Sequence, residues 1–182
     1  MRRWTFAMIS KTLVLRAMLI MVTLVTGAAL VCNAQGTKTK KMPKEEVEEL
    51  MNAVLPFAQK MLTEHGEFHP YGGAINSKRE IVWVAVHDGD EHPPSERIID
   101  LLVDACRAEA KAGTYRATAI IFDVRVVPPG SDQKTDAIQI DLDHISELSL
   151  TVFLPYKIKH KGEVVYGEMF AQAGEKKIFK SP

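Results

Sequence analysis

Three regimes of hydrophobic patterning follow one another along the chain: a continuous apolar run, two stripes at helical spacing, and a long stretch of alternation. The continuous run covers residues 17–31 (AMLIMVTLVTGAALV). Val47, Leu50, Met51, Val54, Ala58, Met61 and Leu62 then recur every three or four residues, which places them on one face of a helix. Pro43 suits the first turn of that helix, and Glu45, Glu46, Glu48 and Glu49 favour its positive end. His65-Gly66 closes it, because glycine adopts the left-handed cap without steric cost. Pro56 removes a backbone donor inside the pattern, so a kink or short break is expected there. A second stripe, Ile98, Leu101, Leu102, Ala105 and Cys106, starts near Ser95 and stops at Gly113.

Extended segments are expected at residues 68–76 and 80–87, joined through Asn76-Ser77-Lys78-Arg79 as a hairpin. Beyond Gly113 the period changes to two. Thr118, Ile120, Phe122, Val124 and Val126 alternate up to the breaker Pro128-Pro129-Gly130. Ile138, Ile140 and Leu142 alternate with Gln139, Asp141 and Asp143, and Leu148, Leu150, Val152, Leu154, Tyr156 and Ile158 with Ser149, Thr151, Phe153 and Lys157. Such alternation describes antiparallel strands with one wet and one packed face. Pro155 cannot donate to a ladder, so its strand is expected at an edge or bulged at that point. A last strand, residues 163–172, is expected to pair through the turn at Lys161-Gly162. The predicted fold is α+β, in the order α-β-β-α-β-β-β-β: a single antiparallel sheet of about five to six strands with two helices packed on one face. That layout is similar to roadblock and profilin folds, an analogy of architecture that carries no function.

Charge gives the apolar run its meaning. Arg2, Arg3, Lys11 and Arg16 precede it without any acidic residue, and Cys32-Asn33-Ala34 follows with small residues at the two positions a signal peptidase reads. Residues 1–34 are therefore expected to form a cleavable secretory signal, 35–43 a polar lysine-rich spacer, and 44–182 a single α+β domain in the periplasm or secreted. An uncleaved anchor would need about 20 apolar residues to cross the hydrocarbon core, and Arg16 leaves only residues 17–31. A lipoprotein signal would need a small residue before Cys32, where bulky Val31 stands. Loss of the segment removes four of 23 basic residues and none of 23 acidic ones, leaving a net charge near −4. A weakly acidic domain lacks the electrostatic footprint for nucleic acid, and membrane contact is expected only through the segment before cleavage. Of two cysteines only Cys106 would remain, which excludes an intramolecular disulfide and suits a buried core thiol.

Two stretches, LPFAQKMLTEHGEFHPYG at residues 55–72 and DAIQIDLDH through FLPY at residues 136–156, carry a resemblance. The chain resembles a family of small, uncharacterised bacterial proteins with an EHGEF-x-P-aromatic-G signature followed by this meander. The signature residues here are Glu64, His65, Gly66, Glu67, Phe68, Pro70, Tyr71 and Gly72. The family has no established activity, so the resemblance implies no catalytic residue and no cofactor.

Two clusters could bear chemistry. His65, Glu67, His69 and Tyr71 gather at a helix-to-strand corner as candidate binding or acid–base residues, since imidazole titrates near neutral pH. Against this, Gly66 has a capping job, Phe68 a core job, and Pro70 and Gly72-Gly73 a strand-entry job. His87, Asp88, Asp90 and His92, with Glu91, would suit a divalent metal by donor type. Their spacing matches neither a helical His-x-x-x-His pair nor a calcium loop, and an acidic solvated connector has the same composition. Lys157, Lys159, His160 and Lys161 form a basic run that reads as a solvated hairpin tip or a contact for an acidic partner or membrane surface. No phosphate loop or nucleophile elbow occurs. The expected function is a non-enzymatic binding or interaction module for a protein or small molecule, with no cofactor. The alternative is a small metal-dependent hydrolase using the two histidine clusters. A third reading is an inhibitor or immunity-type partner.

Overall fold

The computed structural model describes residues 42–90 and 93–179. The expected signal, nearly all of the expected spacer, Glu91 and His92 lie outside the described residues. Helix α1, Pro43–His65, is followed by strands β1 (Tyr71–Asn76) and β2 (Ile81–Val84), helix α2 (Ser95–Lys111), and strands β3 (Tyr115–Val126), β4 (Thr135–His144), β5 (Ser149–Ile158), β6 (Val164–Tyr166) and β7 (Phe170–Ala173). All strands join one antiparallel sheet in the order β2-β1-β3-β4-β5-β6, with β7 also paired to β5. The α+β class and the order of elements agree with the sequence pattern.

Local chemistry sets the boundaries of α1. Pro43 occupies the first turn, and Met42 donates its backbone N–H to Glu45 Oε2 at 2.9 Å, satisfying a donor that helix geometry leaves over. At the other end Gly66, at φ 77°, returns its N–H to the Leu62 carbonyl at 2.9 Å. Pro56 does not break the helix, which runs without interruption from Pro43 to His65.

The placement of the helices corrects one expectation: they pack on opposite faces of the sheet, not on one. Val47, Leu50, Val54, Ala58 and Leu62 of α1 share a core with Tyr71, Ile75, Ile121, Ile140 and Leu154. Ile98, Leu102, Val103 and Cys106 of α2 share another with Ala74, Val84, Ile120 and Phe122. Consecutive residues of β1 and β3 thus serve different cores. These strands are buried on both sides, which a period-two reading of one wet face does not anticipate. Leu50, Leu62, Leu102, Ile121 and Ile138 are fully buried, each contributing about 1.5–3 kcal/mol of transfer free energy.

Gly72 and Gly73 make the double coverage possible. A methyl group on Gly72 would lie 3.1 Å from Val84 Cβ and 3.5 Å from Leu102 on the α2 side, while one on Gly73 would lie 2.6 Å from Val54 Cγ1 on the α1 side. Neither helix could come so close to a strand bearing side chains here.

Seven strands appear where five to six were expected, because the last expected strand divides into β6 and β7 at residues 167–169. The division lies opposite Pro155. That residue sits in an interior strand, paired through Ala137 to β4, and what breaks is its outer partner. Gly167 donates its N–H to the Pro155 carbonyl at 2.8 Å, and a side chain at 167 would meet Pro155 Cβ at 3.3 Å.

Candidate functional site

The two clusters singled out in the sequence separate into structural and solvated residues. Tyr71 is buried, and its hydroxyl meets α1 beside Pro56. It donates to the Val54 carbonyl at 2.8 Å and accepts the Ala58 N–H at 3.2 Å, groups one turn apart that flank Pro56. Burial pushes its pKa well above the ordinary phenol value, which keeps it a neutral donor. Tyr71→Phe is expected to cost about 1–3 kcal/mol, since it strands one or both of these backbone groups. Urea denaturation of the two proteins checks this; an unchanged midpoint would show that the helix closes its own bond.

His65, Glu67 and His69 are exposed. His65 Nε2 lies 3.9 Å from Glu64 Oε2, both on the surface. Asp88 pairs with Arg97 Nε at 3.0 Å and accepts the Asp90 N–H at 3.0 Å, a local turn that precedes α2. His87 and Asp90 are exposed. The antiparallel register Gly72↔Val84 brings the 65–69 and 87–90 segments to the same end of the β1–β2 hairpin. Among the described residues no group of three or more His, Cys, Asp or Glu side chains is placed to hold a metal ion. Cys106 is fully buried in the α2 core, and burial raises its pKa to about 11.

A buried ionic cluster that the sequence reading missed lies under α1. Glu46, 2 % exposed, accepts from His144 Nε2 at 2.9 Å and from Arg116 Nε and Nη2 at 3.2–3.3 Å. Arg79 Nε is 3.7 Å from Glu46 Oε1. The β1–β2 turn delivers Arg79: Asn76 Oδ1 accepts the Lys78 and Glu80 N–H groups at 2.9 Å each, and Arg79 itself takes the left-handed φ of 64°. Burial pushes the Glu46 carboxyl up, but the bonds from His144 and Arg116 outweigh it and hold the pKa below its ordinary value.

Ser146 completes a chain. Its backbone N–H donates to His144 Nδ1 at 2.9 Å, so in the neutral ring Nδ1 carries the lone pair and Nε2 the proton given to Glu46. Ser146 Oγ lies 2.7 Å from the same Nδ1. Hydroxyl, imidazole and carboxylate thus stand in the order of an acyl-transfer triad. Two features remove them from that role. The Ser146 N–H is spent on His144 and cannot bind an oxyanion, and Arg116 already neutralises the carboxylate that would steady an imidazolium. The cluster is a pin joining the start of α1 to β3 and the β4–β5 turn. Its signal in the sequence was a histidine at the inward position after Ile138, Ile140 and Leu142, and a glutamate beside the inward Val47.

A groove of about 510 Å³ opens where the outer strand is broken. Pro128 and Pro129 of the β3–β4 loop line it together with Pro155 of β5 and Val165, Tyr166, Met169 and Phe170 of the broken outer strand. Phe170 stacks on Phe153 at 5.0 Å between ring centres, which fixes the far end. Lys134, Lys157 and Lys159 stand around it with Glu168. Lys159 pairs loosely with Glu163 at 3.8 Å; Lys134 and Lys157 have no ion-pair partner among the described residues. Tyr156 lines the groove and donates its hydroxyl to Asp123 Oδ1 at 2.8 Å, and burial together with that bond raises its pKa. The groove's volume, and its proline, valine, methionine and aromatic side chains beside the polar Ser131, Gln133 and Thr135, fit a small-molecule site.

Compared with family models, curated proteins and solved structures, the chain shows no match. Among the described residues no helix is long and apolar enough to cross a membrane.

Proposed function

We propose that the protein is an exported, non-enzymatic binding module that holds its ligand in the groove beside Pro155. The observation that carries the reading is a concave apolar space of about 510 Å³, built where the sheet interrupts its own outer strand. A strand pair that simply closed would fill it. Gly167 and Pro155 keep the two strands close while residues 167–169 leave the ladder, so the opening is part of the architecture. Of the histidines that would serve a hydrolase, His65, His69 and His87 stand exposed, and His92 lies outside the described residues.

Titration with the neutral fluorophore N-phenyl-1-naphthylamine tests the reading. Saturable binding is expected, lost when Phe170→Asp charges the groove wall and retained when His65→Ala alters the opposite cluster. Absence of saturable binding would overturn it. So would turnover of a generic ester, phosphate or glycoside that disappears in His65→Ala. Export is tested by N-terminal sequencing of protein from its native host, where a start near Gln35 is expected and an intact Met1 would exclude cleavage.

A further inference from the structure

Resting on the groove reading, we infer that the ligand is a single-chain amphipathic anion, free in solution, whose apolar body lies along Pro155, Met169 and Phe170 and whose acidic head meets Lys134 and Lys157. Charge is the first argument. The domain without its N-terminal segment carries a net charge near −4, yet three lysines and a single glutamate stand at this one opening. Lys134 and Lys157 lack an acidic partner among the described residues, so their charge is available to a ligand. A neutral ligand would leave that concentration of cations without use, and a cationic one would be repelled.

The register gives the second argument, because it separates the two ends. Lys157 pairs with Val165, and Lys134 immediately precedes the first paired residue of β4, Thr135. Phe170, stacked on Phe153, pairs with it four residues back along β5, and Met169 beside it also lines the groove. The groove therefore runs from a cationic end to an apolar end, and an occupant with one charged terminus fits in one direction. Concavity favours a single molecule over a bilayer surface, which would need a convex face with protruding apolar side chains.

The test compares decanoate, decanol and decyltrimethylammonium, each below its aggregation concentration, by displacement of N-phenyl-1-naphthylamine from the purified protein. Decanoate is expected to bind about tenfold more tightly than decanol, with decyltrimethylammonium weakest, and the preference should shrink as salt screens the rim. The double variant Lys134→Gln/Lys157→Gln, altered only at exposed positions, should lose the preference for decanoate while still binding the neutral fluorophore. Equal affinity for the three compounds, or an undiminished preference in the double variant, would overturn the inference and leave the groove reading standing. Sedimentation with anionic vesicles without decanoate binding would also overturn it, in favour of a membrane surface. If the fluorophore itself fails to bind, both readings fall together.

Discussion

Replacing Glu46 with alanine should destabilise the domain by about 3–5 kcal/mol, a large share of the 5–15 kcal/mol that holds a typical domain folded. The substitution leaves His144 and the inward parts of Arg116 and Arg79 facing a space with no carboxylate, and a buried charge stripped of its partner costs more than the pair ever contributed. The lower half of that range is favoured because the Arg116 side chain is 30 % exposed and can turn to water. Urea denaturation gives the number. Glu46→Gln keeps the shape and isolates the charge, so it separates packing from electrostatics. The pH dependence follows from the lowered pKa. The unfolded carboxyl, near 4.5, takes up its proton before the folded one does, so the stabilisation is complete above that value and is lost as pH falls through the folded value. Glu46→Gln should flatten that part of the acid limb. An acid limb identical to that of the unaltered protein would show that the cluster does not titrate there.

The second large effect is expected at Asp143, which is 4 % exposed on the α2 side of β4. Its Oδ2 accepts the backbone N–H groups of Lys177 at 3.0 Å, Ile178 at 2.8 Å and, more loosely, Phe179 at 3.4 Å. Neighbouring Asp141 takes Lys177 Nζ at 2.7 Å, and Arg107 Nε donates to the Lys177 carbonyl at 2.7 Å. One carboxylate thereby ties residues 177–179 to β4 and seats Ile178 in the second core. Asp143→Ala should cost about 2–4 kcal/mol, because it leaves N–H groups without acceptors while the segment that carries Ile178 comes free. Trypsin should then cleave at Lys176 or Lys177 far faster than in the unaltered protein. Asp143→Asn, which keeps one acceptor oxygen, should recover part of both effects. Resistance to trypsin in Asp143→Ala would mean that Ile178 alone anchors the segment.

The pattern of apolar residues gave the elements and their order because each element answers to one local period. The stripes of α1 and α2, the alternation of β3 to β5 and the stop at Gly66 all lie within a few residues of one another. Which face each helix covers is a different kind of fact. It depends on β1, where Gly72 and Gly73 carry no side chain and so no hydrophobic signal, and on β3, where small Ala117 and Ala119 face α1 while Ile120 and Phe122 face α2. The split of the last strand was invisible for a related reason: Pro155 announced a fault in the ladder without saying which neighbour would give way.

The candidate sites show the same division. The conspicuous residues were local clusters, and the structure assigns Tyr71 to repairing a helix and leaves His65, His69 and His87 in solvent. The Glu46–His144 contact joins residues 98 positions apart, which no short motif encodes. The basic run around Lys157 and Lys159 was legible, but its significance depends on Pro128, Pro129 and Phe170 arriving from elsewhere in the chain.

Coverage of β1 and β3 from both sides also decides where the molecule can breathe. Amides in those strands can exchange with solvent only when two separate layers of side chains part together, so they should be the slowest in the chain. The short strands β6 and β7 lie at the opposite margin from β2, where the Tyr166 hydroxyl donates to the Gln59 carbonyl of α1 at 3.4 Å, and with fewer partners they should open more readily than β1 and β3. A guest could enter and leave beside Pro155 at the cost of a local fluctuation, while the rest of the domain stays closed.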